Sequence, residues 1–286
     1  MLQRSISRPI ETTGIGLHRA NHVLLRLEPM PENSGIVFYR SDTGVTIPLS
    51  VDMVVDTTLA TVIGRDGSSI STIEHFLATL YAYGIDNLKV ILDGDEMPVM
   101  DGSAFLFCRL LDDAGVVEQN APKRLLHIKR KVEVRDGDKY AILEPSLESS
   151  FHFDIDFSHP AIGKQSFSYI STQDNFIDEV ASARTFGFLK DIEYLRSQNL
   201  ALGATLDNVI GLDEELILNP EGLRFDNEFV RHKLLDAIGD MMLIGYHIVG
   251  DYRASASSHR LNHLLTQKLF SDSNNYEIIS SQQSEA

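Results

Sequence analysis

Cysteine occurs once in the 286-residue sequence, at Cys108, and tryptophan not at all. One thiol cannot close an internal disulfide, and cysteine-based zinc or redox motifs need at least two. Any metal held by this chain must therefore use histidine, aspartate or glutamate. No apolar run approaches the ~18 residues of a membrane-spanning helix, and the amino terminus MLQRSISRPIETTG lacks the apolar stretch of a secretory signal. A cytoplasmic location is the expectation. Positive charge is scarce: 25 Lys and Arg stand against 41 Asp and Glu, a formal net charge of −16. That balance repels nucleic acid and anionic headgroups at long range, so no nucleic-acid partner is expected. The local signatures of His-Glu-x-x-His proteases, zinc deaminases, nucleophile-elbow hydrolases and phosphate-binding loops are also absent. Gly14-Ile15-Gly16 reads as a turn.

What is present describes a folded protein, with 43% hydrophobic and 23% charged residues, both close to globular averages. The length predicts two domains. Val23, Leu25 and Leu27 alternate, and strands are expected there, at 36–39, at 59–63 and at 88–92. Ser71, three residues before Glu74, opens the periodic run Ile73, Phe76, Leu77 and Leu80, which reads as a capping box starting a helix. A second helix is expected over 103–114. After a linker at 119–122, residues 125–143 read as a hairpin turning at Asp136-Gly137. Phe151, Phe153, Ile155 and Phe157 alternate next; helices follow near 174–183, 190–198, 226–244 and 258–270, with a strand at 247–254 before the last. Both halves thus finish helix, strand, helix after a run of strands. The pattern predicts two related α+β domains, 1–120 and 125–271, followed by a polar tail at 272–286 with frayed final residues.

The most informative segment runs from Phe229 to Asp240. On a helix, His232 and Asp236 are four residues apart and share a face, close enough to bind one ion, with Asp240 one turn further on. For a lone pair of this spacing, a solvated stripe on an amphipathic helix is the commoner explanation. His18 with His22, and His259 with His263, have the same spacing. Glu74 and His75 stand together at a predicted helix start, where Glu74 is explained either as a cap or as a general base beside a ligand. A site with one ligand from the first half and two from the second would lie between domains, where clefts form. Three protein ligands leave a fourth position for water, as in catalytic zinc sites, and His259 is a candidate acid that a carboxylate such as Asp240 would keep charged.

These residues resemble the UDP-3-O-acyl-N-acetylglucosamine deacetylases of lipid A biosynthesis. The likeness runs through Thr13-Gly14-Ile15-Gly16-Leu17-His18, Ser71-Thr72-Ile73-Glu74-His75, Met100-Asp101-Gly102-Ser103-Ala104, Asp156-Phe157-Ser158-His159-Pro160, Ala183-Arg184-Thr185-Phe186-Gly187-Phe188 and Arg231-His232-Lys233 to Asp240. It implies two similar domains, each a β-sheet layered with two helices, with the active site between them. The resemblance makes His75, His232 and Asp236 ligands of one zinc ion, with Fe(II) an alternative in the cell. It makes Glu74 the base, His259 the acid, Asp240 its partner and Thr185 an oxyanion donor. Substrate contacts follow at Lys233 for the nucleotide, Phe186 for the sugar, Phe157 and His159 near the uracil, and at His18 and Phe188. An acyl-chain passage is implied near 188–212, where Phe188, Ile192, Leu195, Leu200, Ala201, Leu202 and Ala204 cluster. Burying an alkyl chain contributes about 0.8 kcal/mol per methylene.

One departure stands out: Ala256-Ser257-Ser258 occupies the place of the family's Lys-x-Gly before the catalytic histidine, and His263 stands where asparagine is usual. The implied protein is a monomeric cytoplasmic hydrolase releasing acetate from a UDP-linked acylated glucosamine, with at most transient contact with a membrane surface. A non-catalytic nucleotide-sugar binding protein, or a zinc deacetylase of another acyl-amino sugar, are the other readings.

Overall fold

The computed structural model describes residues 1–281. It is an α+β fold. Among the described residues there are six α-helices: α1 (Glu74–Tyr83), α2 (Phe105–Ala114), α3 (Gln173–Glu179), α4 (Leu189–Ser197), α5 (Glu228–Met242) and α6 (His259–Phe270).

In the first half the strand His22–Pro29 alternates buried and outward residues, the mark of a sheet with one covered face. It lies in a five-stranded sheet ordered Ile10–Ile15, His22–Pro29, Leu88–Leu92, Ile36–Arg40, Val45–Pro48. Its inward residues Val23, Leu25, Leu27, Phe38 and Val90 join Phe76, Leu77 and Leu80 of α1 and Phe107 and Leu111 of α2 in one core. The second half carries a seven-stranded sheet in which the long strand His247–Ser255 is central. It pairs in parallel with Arg124–Ile128 and Ser149–Asp156 and antiparallel with Lys139–Glu144. Helices α5 and α6 cover this sheet. A parallel pair, Phe186–Phe188 with Ile210–Leu212, brackets α4 in the stretch expected to carry an acyl chain.

Nine of the ten residues of α1 are buried, as are thirteen of the fifteen of α5. A helix covered on all sides belongs in the middle of a protein, and α1 and α5 make the most extensive helix–helix contact in the molecule. Their approach depends on one missing side chain: a Cβ at Gly239 would stand 2.0 Å from the backbone oxygen of Glu74. Tyr81 of α1 reaches the other sheet, where its hydroxyl accepts from the Ile248 amide and bonds Ser149 Oγ.

Four expectations are revised. Residues 119–122 are no linker, because Val116–Pro122 pairs with Leu2–Ile6 and ties the start of the chain to the middle. The strand expected over 59–63 begins only at Val62; Asp56 Oδ1 accepts from the amides of Thr57 and Thr58 and from the Thr58 hydroxyl, a turn that interrupts the extended run. The hairpin turning at Asp136-Gly137 comprises only Val132–Asp136 and Lys139–Glu144, while Arg124–Ile128 is a separate strand. Part of the expected tail is structured, since Tyr276–Ser280, which carries Ile278-Ile279, pairs with Arg124–Ile128 at the edge of the sheet; residues 282–286 lie outside the described residues.

Gly239→Ala is expected to lower the unfolding free energy by about 1–3 kcal/mol or more, as overpacking does, by forcing α5 away from α1. Denaturant titration checks it; an unchanged midpoint would mean that the helices do not meet at this glycine.

Candidate active site

The α1–α5 crossing brings together side chains that are far apart in sequence. Nε2 of His75 lies 3.5 Å from Oδ1 of Asp236, and Nε2 of His232 lies 3.3 Å from the same oxygen. The two imidazoles meet edge to face at 4.9 Å between ring centres. Ligand atoms of these three buried residues fall within 4.8 Å of one another, a grouping that could hold a metal ion.

The surroundings fit a cation. Oδ1 of Asp236 is buried without a hydrogen-bond donor, an arrangement that is costly for a carboxylate unless a positive charge faces it. Its other oxygen accepts from Lys233 Nζ at 2.6 Å, which turns Oδ1 toward the histidines. Burial would raise the Asp236 pKa, but the positive field of its neighbours, Lys233 among them, holds it well below the ordinary value. Burial lowers the pKa of His232 to about 4, leaving it neutral. Its Nδ1 bonds the Ala183 carbonyl at 3.0 Å, fixing the tautomer that offers Nε2 to an ion. The Ala183 carbonyl is held by the next residue: the buried Arg184 guanidinium pairs with Glu228 at the start of α5 and also bonds Glu221 and the Gly222 carbonyl.

Beside the triad lie two groups suited to moving protons. The capping box expected at Ser71 does not form. Helix α1 begins at Glu74 with no side-chain cap, and the Ser71 hydroxyl donates to the Asp95 carbonyl. Glu74 Oε2 instead accepts from the Thr61 amide at 3.1 Å, and Oε1 stands 3.7 Å from Nε2 of His259. Burial pushes the Glu74 carboxyl up, against the pull of His259, which makes it a better base near neutrality. His259 opens α6 behind Ser258, whose hydroxyl accepts from the Leu261 amide. Burial alone would lower the pKa of His259, but Asp240 and Glu74 outweigh it and lift it to about 9. The Asp240 contact is a direct bond to Nδ1 at 2.9 Å. Asn262 adds a second donor to Asp240 Oδ2 at 2.8 Å and is oriented by Tyr252 and Ser257.

A cleft of about 520 Å³ opens onto these groups, lined also by His18, Thr58, Leu59, Ala60, Thr185 and Phe186. Phe157 joins it to a neighbouring cavity of about 510 Å³ lined by His159, Phe188, Lys190 and Leu212. The structure therefore gathers His75, His232, Asp236, Glu74, His259, Lys233, Thr185, Phe186 and His18 around one cleft, keeps Asp240 buried beside His259, and places Phe157, His159 and Phe188 at the adjoining cavity. His159 Nε2 donates to the Asp213 carbonyl. Both ring nitrogens of His18 are buried without partners. Neither rival histidine pair forms a ligand set: His18 lies in a turn and His22 in an outer strand position, and His263 sits one turn beyond His259 with Nδ1 buried and unbonded.

The chain matches the family model described as UDP-3-O-acyl N-acetylglycosamine deacetylase over residues 3–271. Relatives named UDP-3-O-acyl-N-acetylglucosamine deacetylase include the protein of Sulfurovum sp. (strain NBC37-1), 58% identical over 98% of this chain and 95% of that relative. Those of Sulfurimonas denitrificans and Helicobacter pylori (strain J99) are 57% and 51% identical, each over 98% of this chain and 95% of the relative. The chain belongs to the UDP-3-O-acyl-N-acetylglucosamine deacetylase family. Ahead of His259, Ala256 adopts a left-handed conformation at φ 47°, Ser257 orients Asn262 and Ser258 caps α6.

Sequence reasoning missed Thr61, Asn262 and the Arg184–Glu228 pair. Asn262 was within reach, being one helical turn from His259; nothing local marks Thr61, whose partners come from α1 and α5. Among the described residues no helix is long and apolar enough to cross a membrane.

The raised pKa of His259 has a consequence for stability. Folded, the ring keeps its proton to about 9, against 6.5 for an ordinary histidine, so its contribution is complete below 6.5 and lost as pH rises through 9. Metal-free protein should lose stability across that window more steeply than the His259→Gln variant. Denaturant midpoints measured at both ends check this, and parallel curves would contradict the charged assignment.

Proposed function

We propose that this chain is a zinc-dependent hydrolase that removes the acetyl group of UDP-3-O-acyl-N-acetylglucosamine. The observation that carries this reading is the pairing of a buried, donor-free carboxylate oxygen between two histidines with a buried base and a protonated acid on the same cleft. A binding protein would need neither proton-transfer group. Family membership and the names of the relatives support the substrate, and the His/His/Asp donor set supports zinc, with Fe(II) the alternative ion for the same residues.

His75, His232 and Asp236 would hold the ion, and Lys233 keeps Asp236 turned toward it. Zinc in such a site supplies Lewis acidity that polarises a carbonyl oxygen and makes water a nucleophile at neutral pH. Glu74 takes the proton that the attacking water loses as its oxygen bonds the amide carbon. Thr185 borders the cleft where the oxyanion develops, and its hydroxyl would donate to that charge. Protonated His259 gives its proton to the glucosamine nitrogen as the C–N bond breaks, releasing acetate and the free amine. Asp240 keeps His259 charged and aimed.

The remaining surface fits an amphiphilic substrate. Phe186, in the main cleft, would contact the sugar, and Phe157, which lines both cavities, the nucleotide, with His159 on the nucleotide side. Lys233 would contact the nucleotide through the ammonium protons that its bond to Asp236 leaves free. The apolar stretch 188–212 would take the acyl chain. Residues 1–120 and 125–271 are read as two domains meeting at the cleft, in a monomer that works in the cytoplasm and touches membranes at most transiently.

Glu74→Gln is expected to keep one zinc per chain while turnover falls by about 10²-fold or more; Asp236→Ala should lose the metal together with the activity. Metal analysis and acetate release on both variants test the assignment. Intact turnover in Glu74→Gln would leave that residue a purely structural role, and full zinc content in Asp236→Ala would remove Asp236 from the ligand set.

A further inference from the structure

Thr61 bonds both proton-transfer arms of the site. Its amide donates to Glu74 Oε2 at 3.1 Å and its hydroxyl to Asp240 Oδ1 at 2.5 Å. Asp240 Oδ2 accepts from His259 Nδ1 at 2.9 Å, and His259 Nε2 returns to within 3.7 Å of Glu74 Oε1. The four residues close a ring, and Thr61 is the member that belongs to neither arm.

Thr61 is 1% exposed, so its hydroxyl has little access to bulk water. A hydroxyl carries one proton and an ionised carboxylate only accepts; the single donor of Thr61 is thereby committed to Asp240, on the oxygen that His259 and Asn262 leave open. Immediately before it, Thr58, Leu59 and Ala60 line the cleft, so the same residue anchors the rim.

We propose that Thr61 is a shared positioning residue: by bonding Glu74 through its backbone and Asp240 through its side chain, it sets the separation of base and acid across the scissile bond. The kinetic part of this proposal rests on the deacetylase reading above. Base and acid must act on atoms two bonds apart, water oxygen and amide nitrogen flanking the same carbon, and a misplacement on the scale of 1 Å can cost about 10²-fold in rate. Valine matches threonine in shape and keeps the backbone bond to Glu74, so Thr61→Val removes the hydroxyl bond alone; Thr61→Ser keeps the hydroxyl and removes the methyl.

In the zinc-loaded full chain, Thr61→Val should lower kcat by about 10- to 100-fold with KM and metal content unchanged, the pattern of an interaction that matters in the transition state. Thr61→Ser should recover most of the loss. In the metal-free chain, the His259 Nδ1 proton resonance should move in Thr61→Val and stay in place in Thr61→Ser. Unchanged kcat in Thr61→Val, an equal loss in Thr61→Ser, or an unmoved resonance would each overturn the proposal. Should the valine variant not fold, Thr61→Ala against Thr61→Ser carries the same comparison. A wild-type chain that releases no acetate would defeat the deacetylase reading, while the resonance would still decide the role of Thr61.

Discussion

The close crossing of α1 and α5 at Gly239 is the constraint on which the site depends. With no Cβ at that position, the backbone of α5 rests against the carbonyl of Glu74. Five of the site's groups lie within about two turns of that point: Glu74 and His75 at the start of α1, His232 and Asp236 before Gly239 on α5, and Asp240 immediately after it. A helix separation larger by one methyl group would open the distances between His75, His232 and Asp236 on which a shared ion relies. Both helices are buried on nearly all sides, so their crossing is held by the cores of two sheets rather than by the polar contacts it creates.

Around this crossing charge is concentrated where water is scarce. Burial penalises each ionised group, and the penalty is offset by neighbours of opposite sign: Lys233 for Asp236, His259 for Asp240 and Glu74. Asp236 Oδ1 is the exception, facing two neutral-capable imidazoles with no donor. Asp240 and Glu74 keep His259 protonated in spite of its burial, whereas burial itself pushes the Glu74 carboxyl upward, so that a proton donor and a proton acceptor stand side by side.

Much of this was legible in the chain, for identifiable reasons. The spacing of His232, Asp236 and Asp240 states a helical face, and the alternation in 23–27 and 151–157 states one-sided strands; both are local patterns. Glu74 was ambiguous because its distance from Ser71 fits a cap as well as a base, and the turn of Ser71 toward Asp95 removes the cap. Strands such as Val116–Pro122 and Tyr276–Ser280 were hidden because neither alternates apolar and polar residues and their partners, at residues 2–6 and 124–128, are more than a hundred residues away. Thr61 was hidden for a similar reason: its role comes from two helices that are 13 and 179 residues away. The metal assignment to these residues was carried by family likeness, which local spacing could not have chosen over the rival histidine pairs.

The most direct measurement of the central claim is acetate release from UDP-3-O-acyl-N-acetylglucosamine by one purified sample, before metal removal, after it and after zinc is restored. Release that disappears with the metal and returns with about one zinc per chain is the predicted result. Acetate release at an undiminished rate from the metal-free chain would contradict a hydrolase built on His75, His232 and Asp236.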